Sequence, residues 1–201
     1  MLNNTLNRIT NAMVTDGYAL TSYAELGLPF DVAAVKQMQR VVEEDVFDPD
    51  AQAGVDNLEN MKSMIIARSK KTLDIGRAFV APAVDLLLTN NPNARDEWEL
   101  YGINRYDKIG ATFEPHIDPR GRLVIVASAT GARILSIYRR DFDQDEHKPE
   151  TFRVIDHTVI VRPGDLFLID GEFGPPHAVE CLEAPSMSVV ADVVGTYLRP
   201  V

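Results

Sequence analysis

His116 and Asp118 stand one residue apart in Pro115-His116-Ile117-Asp118, and a second histidine follows far along the chain in Pro175-Pro176-His177-Ala178-Val179. On a strand, the two-residue period puts the imidazole and the carboxylate on one face, where both can reach one ion. A second imidazole brought alongside completes a facial set of two nitrogens and one oxygen. That set suits Fe(II) and leaves positions open for O2 and a co-substrate. A His-x-Asp triplet by itself is weak, because most isolated histidines are surface or hydrogen-bonded core residues. Three features strengthen it: Asn104-Arg105-Tyr106 ahead of the pair, the turn Arg162-Pro163-Gly164-Asp165 running into Leu166-Phe167-Leu168-Ile169, and the apolar residues after His177.

The elements that must hold such a set are short strands. From Trp98 onward, β-branched and aromatic residues alternate with Gly, Pro and Asp clusters. This texture predicts eight strands, over 99–106, 111–117, 122–128, 132–139, 151–161, 165–170, 177–182 and 186–197. Eight short strands point to a mainly β chain with a cupin-like jelly roll, a double-stranded β-helix whose two facing sheets manage the exposed-edge problem. The first half reads as helical, with Leu2, Leu6, Ile9 and Met13 at helical steps until Gly17. A strand is expected over 18–23, then helices over 32–46, 57–73 and 75–88, the last with Pro82 as a kink. The turn run Thr89-Asn90-Asn91-Pro92-Asn93 is too short for a linker, so one domain is expected over 1–201, with 1–97 as helical support and 98–201 as the core.

Composition narrows the partners. With 201 residues, 45% of them hydrophobic, the chain can bury one sizeable core. Thirty acidic against twenty basic residues give a net charge of −10, which disfavours nucleic acid and anionic membranes. A small anion can still bind where arginines override that charge locally, within about 8 Å. Cys181 is the one cysteine and cannot form an internal disulfide, and MLNNTLNRIT lacks the basic and apolar segments of a secretion signal, so the cytoplasm is expected. Oligomeric state is not legible.

On the residues quoted, Tyr101 to Arg199 resembles the 2-oxoglutarate and Fe(II)-dependent oxygenase superfamily, and more closely the branch that includes isopenicillin N synthase. The resemblance implies an enzyme in which His116, Asp118 and His177 bind iron, Asn104 and Tyr106 touch 2-oxoglutarate, and O2 oxidises a small-molecule substrate. The turn at Pro163-Gly164-Asp165 matches a habit of the superfamily, and the metal-binding carboxylate argues against its halogenases. Ser186, with Ser188 beyond it, stands where that branch carries the arginine of Arg-x-Ser that anchors the far carboxylate of 2-oxoglutarate. A hydroxyl donates one hydrogen bond and cannot neutralise a carboxylate. Either another strand supplies the cation, with Arg133 the nearest candidate and Arg122 and Arg199 behind it, or the substrate supplies all the electrons and no 2-oxoglutarate binds. Two further readings share the three ligands: a cupin-like isomerase or hydrolase using Zn as a Lewis acid, and a small-molecule sensor.

Other residues carry less. Asp141-Phe142-Asp143-Gln144-Asp145 begins like a calcium loop but has Glu146 and Phe152 where glycine and glutamate are required, which leaves an acidic loop. His157 is a spare ligand only in a metal-rich cupin, and His147 has a weaker claim. Cys181 shares a strand face with His177 and Val179, and is expected as a small buried hydrophobe. Phe173 and Tyr138 are expected in the core more than against substrate.

Overall fold

In the computed structural model, residues 2–45, 61–62, 64–91, 97–140 and 151–195 are described. Helix α1 (Leu2–Asp16) turns Ile9 and Met13 inward. It ends at Gly17, whose φ of 75° lets the chain reverse directly into strand β1 (Tyr18–Ser22). Helix α2 (Val32–Asp45) starts at Asp31, whose carboxylate accepts from the backbone N–H groups of Ala33 and Ala34 at 2.9 and 3.0 Å. Helix α3 (Lys70–Thr89) is capped by Ser69, whose hydroxyl accepts from the N–H of Thr72, and it carries Pro82 within its length.

The remaining strands are β2 (Met61–Lys62), β3 (Met64–Ala67), β4 (Trp98–Tyr106), β5 (Thr112–His116) and β6 (Arg122–Thr130). They continue with β7 (Arg133–Tyr138), β8 (Ile155–Val161), β9 (Asp165–Asp170), β10 (His177–Cys181) and β11 (Ser186–Val194). Two antiparallel sheets result, one ordered β1-β9-β6-β11-β4-β3 and the other β2-β5-β10-β7-β8, and together they form a double-stranded β-helix. The two-residue period assigns the faces. On β6, Leu123, Ile125, Ala127 and Ala129 pack under the helices with Met38, Phe79, Val80 and Val84, while Val124 and Val126 join Leu135, Ile137 and Phe167 between the sheets. The helices therefore cover the outside of the six-stranded sheet, and its inside faces a pocket.

One expected helix is a strand. The helical spacing read over 57–73 loses to pairing at Met64–Ala67, where β3 lies against β4 with Met64 opposite Tyr106 and Ala67 opposite Ile103. Ile65 and Ile66 favour a pleated surface, and β4 offers them a sheet edge, so tertiary pairing overrides the local period. Helix α3 consequently begins at Lys70, five residues earlier than the spacing from Ile75 suggests. The eight strands expected from Trp98 onward are β4 to β11, although β8 begins at Ile155 rather than 151 and β11 ends at Val194. Residues 57–60, the acidic run with His147, and Arg199 lie outside the described residues. No described helix is long and apolar enough to cross a membrane.

Candidate metal centre and its pocket

Strands β5 and β10 pair antiparallel with His116 directly opposite His177, which brings the ring centroids to 4.3 Å. Asp118 lies just past the end of β5, not on it as the sequence period suggested. The chain still turns its carboxylate back: Oδ1 is 4.0 Å from His116 Nε2, and Oδ2 is 3.7 Å from His177 Nε2. The ligand atoms of the three residues all lie within 4.8 Å of one another.

The surroundings fix the rings. His116 Nδ1 is 2.8 Å from the carbonyl oxygen of Glu114, and His177 Nδ1 is 3.4 Å from that of Pro175. With Nδ1–H donating to a carbonyl, each Nε2 presents its lone pair to the shared space. Phe113 stacks on His116 at 3.9 Å, and Phe167 meets His177 edge-on at 5.4 Å. Burial pushes both imidazoles down to about 4; His177 adds to the shift of His116, and Asp118 opposes it. Both are therefore neutral near pH 7, the form that binds metal. Burial pushes the Asp118 carboxyl up, with His116 opposing. Its Oδ2 is buried without a hydrogen-bond partner, a costly state for a carboxylate oxygen unless a cation meets it. The donor set thus fits a divalent ion with open coordination positions.

The three residues line one part of a cavity of about 210 Å³ between the sheets. Arg133, 2% exposed, also lines it. Its Nη1 donates to Ser186 Oγ at 2.7 Å and its Nη2 to Ser128 Oγ at 2.6 Å, and the guanidinium carbon is 5.9 Å from the Tyr106 ring centroid. Ser186 in turn donates to the carbonyl oxygen of Thr130 at 2.9 Å. Among the described residues no carboxylate pairs with this guanidinium. Burial pushes its pKa down, with Tyr106 and Cys181 opposing. Cys181 is opposite Arg133, and Ile137 is opposite His177, in the β7–β10 ladder. Four residues of strand, about 13 Å, therefore separate the cation's level from the histidine's. Val126, Leu135, Val179 and Val190 line the stretch between.

Asn104, Tyr106 and Ser188 also line the cavity, and Asn104 Oδ1 is buried without a hydrogen-bond partner. Ser186 is not in the lining; it holds Arg133 from behind. Arg122 lies outside the cavity, 3.7 Å from Asp192 and 3.8 Å from Glu99. His157 is not part of the ligand cluster: it lies two strands from His177, opposite Ile137, with its Nε2 2.7 Å from the Tyr18 hydroxyl and its Nδ1 3.2 Å from Asp156. Cys181 is buried with Met64, Ile66, Tyr106 and Ala111. Tyr138 packs against Phe152 and Phe173 is exposed, so neither lines the cavity. Sequence reading missed Ser128, Asp192, Phe113 and Phe167. Asp192 was within reach of the two-residue period continued from Ser186 and Ser188; Ser128 required knowing that β6 lies beside β11.

No protein-family model matches the sequence, and no curated protein matches it. Solved structures do. A prolyl hydroxylase from Trichoplax adhaerens, in complex with a hypoxia inducible factor oxygen degradation domain peptide fragment, superposes with a TM-score of 0.63 at 16% identity, covering 96% of this chain and 90% of its own. A prolyl-4-hydroxylase from Pseudomonas putida gives 0.58 at 16% identity, covering 94% and 98%. SnoN, a non-heme alpha ketoglutarate dependent epimerase from nogalamycin biosynthesis, gives 0.64 at 13% identity, covering 96% and 84%. At these identities the likeness is one of fold.

Proposed function

We propose that the chain is an Fe(II)- and 2-oxoglutarate-dependent oxygenase acting on a small-molecule substrate, with His116, Asp118 and His177 as the metal ligands. The observation that carries this reading is Arg133, a buried guanidinium that no described carboxylate neutralises, in the same cavity as the three ligands. A buried cation with only hydroxyl partners is complementary to an anion. A dicarboxylate would suit both features: Arg133 would hold one carboxylate while His116, Asp118 and His177 would hold the metal that takes the other end. The superposed hydroxylases and epimerase fit the same reading.

The residues divide the work. His116 and His177 present neutral Nε2 atoms locked by their carbonyl partners, and Asp118 supplies the negative charge. Arg133 binds the far carboxylate, with Ser186 and Ser128 fixing the guanidinium plane. Asn104, Tyr106 and Ser188 bound the co-substrate's side of the cavity, and Val126, Leu135, Val179 and Val190 exclude water between the ends. When bound, Fe(II) with O2 supplies the oxidation, coupled to conversion of 2-oxoglutarate to succinate and CO2. The unpaired cation favours this over oxidation without 2-oxoglutarate. The single cysteine, buried and free, suits a reducing compartment, and on that ground we assign the cytoplasm.

Anaerobic titration of Fe(II)-loaded protein with 2-oxoglutarate, followed by admission of O2 and measurement of succinate, tests the proposal. Saturable binding and O2-dependent succinate are expected. Failure of the loaded protein to bind 2-oxoglutarate would sink the reading.

A further inference from the structure

Strand β11 lays Ser186, Ser188, Val190 and Asp192 along one face, and the last three line the cavity. The floor therefore runs from hydroxyls beside Arg133, through an apolar middle, to a carboxylate. On the reading above, 2-oxoglutarate would take the Arg133 end of this floor, and Asp192 borders the other end. Ile117, Pro119 and Val124 line the cavity with it.

Asp192 is the charged lining residue that the metal and co-substrate roles leave unused. Its side chain is 16% exposed, and Oδ1 is buried without a hydrogen-bond partner. Arg122 Nη1 is 3.7 Å from Asp192 Oδ1 and 3.8 Å from Glu99 Oε1. Both distances exceed hydrogen-bond length, and one cation is shared between two carboxylates. Arg122 also belongs to a separate surface cavity with Arg77, Glu97, Trp98 and Glu99, and does not line the metal pocket. It lies near Asp192 without satisfying it: Oδ1 stays an unfilled acceptor on a residue that lines the cavity.

We infer that Asp192 reads the substrate, and that the substrate class is a primary ammonium or guanidinium group carried on an apolar stem. The cationic group donates to the Asp192 carboxylate, and the stem lies along Ile117, Pro119 and Val124, which line the same cavity as the three metal-ligand residues. The inference rests on the oxygenase reading above and adds to it a charge preference.

The test uses the full chain loaded with Mn(II) and 2-oxoglutarate. Matched probes are N-acetyl-lysine amide against N-acetyl-norleucine amide, and N-acetyl-arginine amide against N-acetyl-citrulline amide. Paramagnetic broadening of the probe's proton resonances reports both affinity and proximity to the ion. The cationic member of at least one pair is expected to bind about tenfold or more tightly than its neutral partner. That ratio should fall to near one in Asp192→Asn and be partly kept in Asp192→Glu. Arg122→Gln, which removes the competing cation, should raise it. Equal binding of cationic and neutral probes, no binding of either cationic probe, or a preference that survives Asp192→Asn overturns the inference. Should Asp192→Asn fail to fold, the wild-type ratios and Arg122→Gln still decide, a lowered ratio in the latter counting against it. If Mn(II) or 2-oxoglutarate does not bind, seen in the water-proton relaxation before any probe is added, the oxygenase reading fails and takes this inference with it.

Discussion

Arg133 and Ser186 reach each other from opposite sheets, with Nη1 on β7 donating to Oγ on β11 at 2.7 Å. The hydroxyl occupies the sequence position at which the isopenicillin N synthase-like branch carries its anchoring arginine. The guanidinium comes from the facing wall, and the serine is its support.

Replacing that cation should uncouple binding from folding. Arg133→Met is expected to weaken 2-oxoglutarate binding by about 10- to 100-fold, the loss of a charge-assisted pair worth roughly 1.5–3 kcal/mol. Because a buried charge gives way to an apolar side chain of similar length, the Tm should hold or rise. Anaerobic titration and thermal melting read the two effects separately, and an unchanged affinity would remove Arg133 from the site.

The ligand set predicts a metal-dependent melt. A divalent ion held at about one hundred times its Kd should stabilise the wild-type chain by about 2.7 kcal/mol. His116→Ala, Asp118→Ala and His177→Ala should each abolish most of that gain while leaving the metal-free melt close to wild type. A gain that persists in all three variants would place the ion elsewhere.

The two pocket histidines give the metal-free protein a defined acid slope. Their folded values, about 4, lie below the ordinary 6.5, so between those limits the unfolded chain binds protons that the folded chain refuses. Stability is therefore complete above pH 6.5 and is lost as pH falls toward 4, by up to roughly 1.4 kcal/mol per pH unit for each histidine. Asp118, raised by burial, contributes the opposite slope above its ordinary 3.8. Asp118→Asn should consequently steepen the fall, as urea melts at stepped pH would record.

Much of this site was legible in the sequence. Period two and turn residues located β4 to β11, and the spacing around His116 and His177 proposed the partners that β5–β10 pairing brings face to face. What stayed hidden depended on neighbours. Met64–Ala67 took its strand form from the edge of β4, and Ser128 became relevant through a strand order that no local pattern encodes. Asp118 converges through a turn after β5, not through strand alternation. Of the two candidate arginines among the described residues, Arg133 is distinguished from Arg122 by burial, a property the sequence could not rank.

The turn ahead of Arg133 offers a mutation at a distance. Gly131 has φ of 61°, and a Cβ there would stand 2.3 Å from the carbonyl oxygen of Glu183 and 2.8 Å from Ser186 Cβ. Gly131→Ala should cost about 1–3 kcal/mol in backbone strain alone. By displacing Ser186 it should also raise the Kd for 2-oxoglutarate, whereas a lowered Tm with unchanged Kd would confine its role to the turn.

The guanidinium held by Ser186 and Ser128 has practical weight at the bench. Hydroxyl partners leave its positive charge whole, so sulfate, phosphate or citrate in a purification buffer should compete for the seat proposed for a dicarboxylate. Apparent co-substrate constants measured in such buffers will then describe displacement of the buffer anion, and a salt chosen for convenience will set the number obtained.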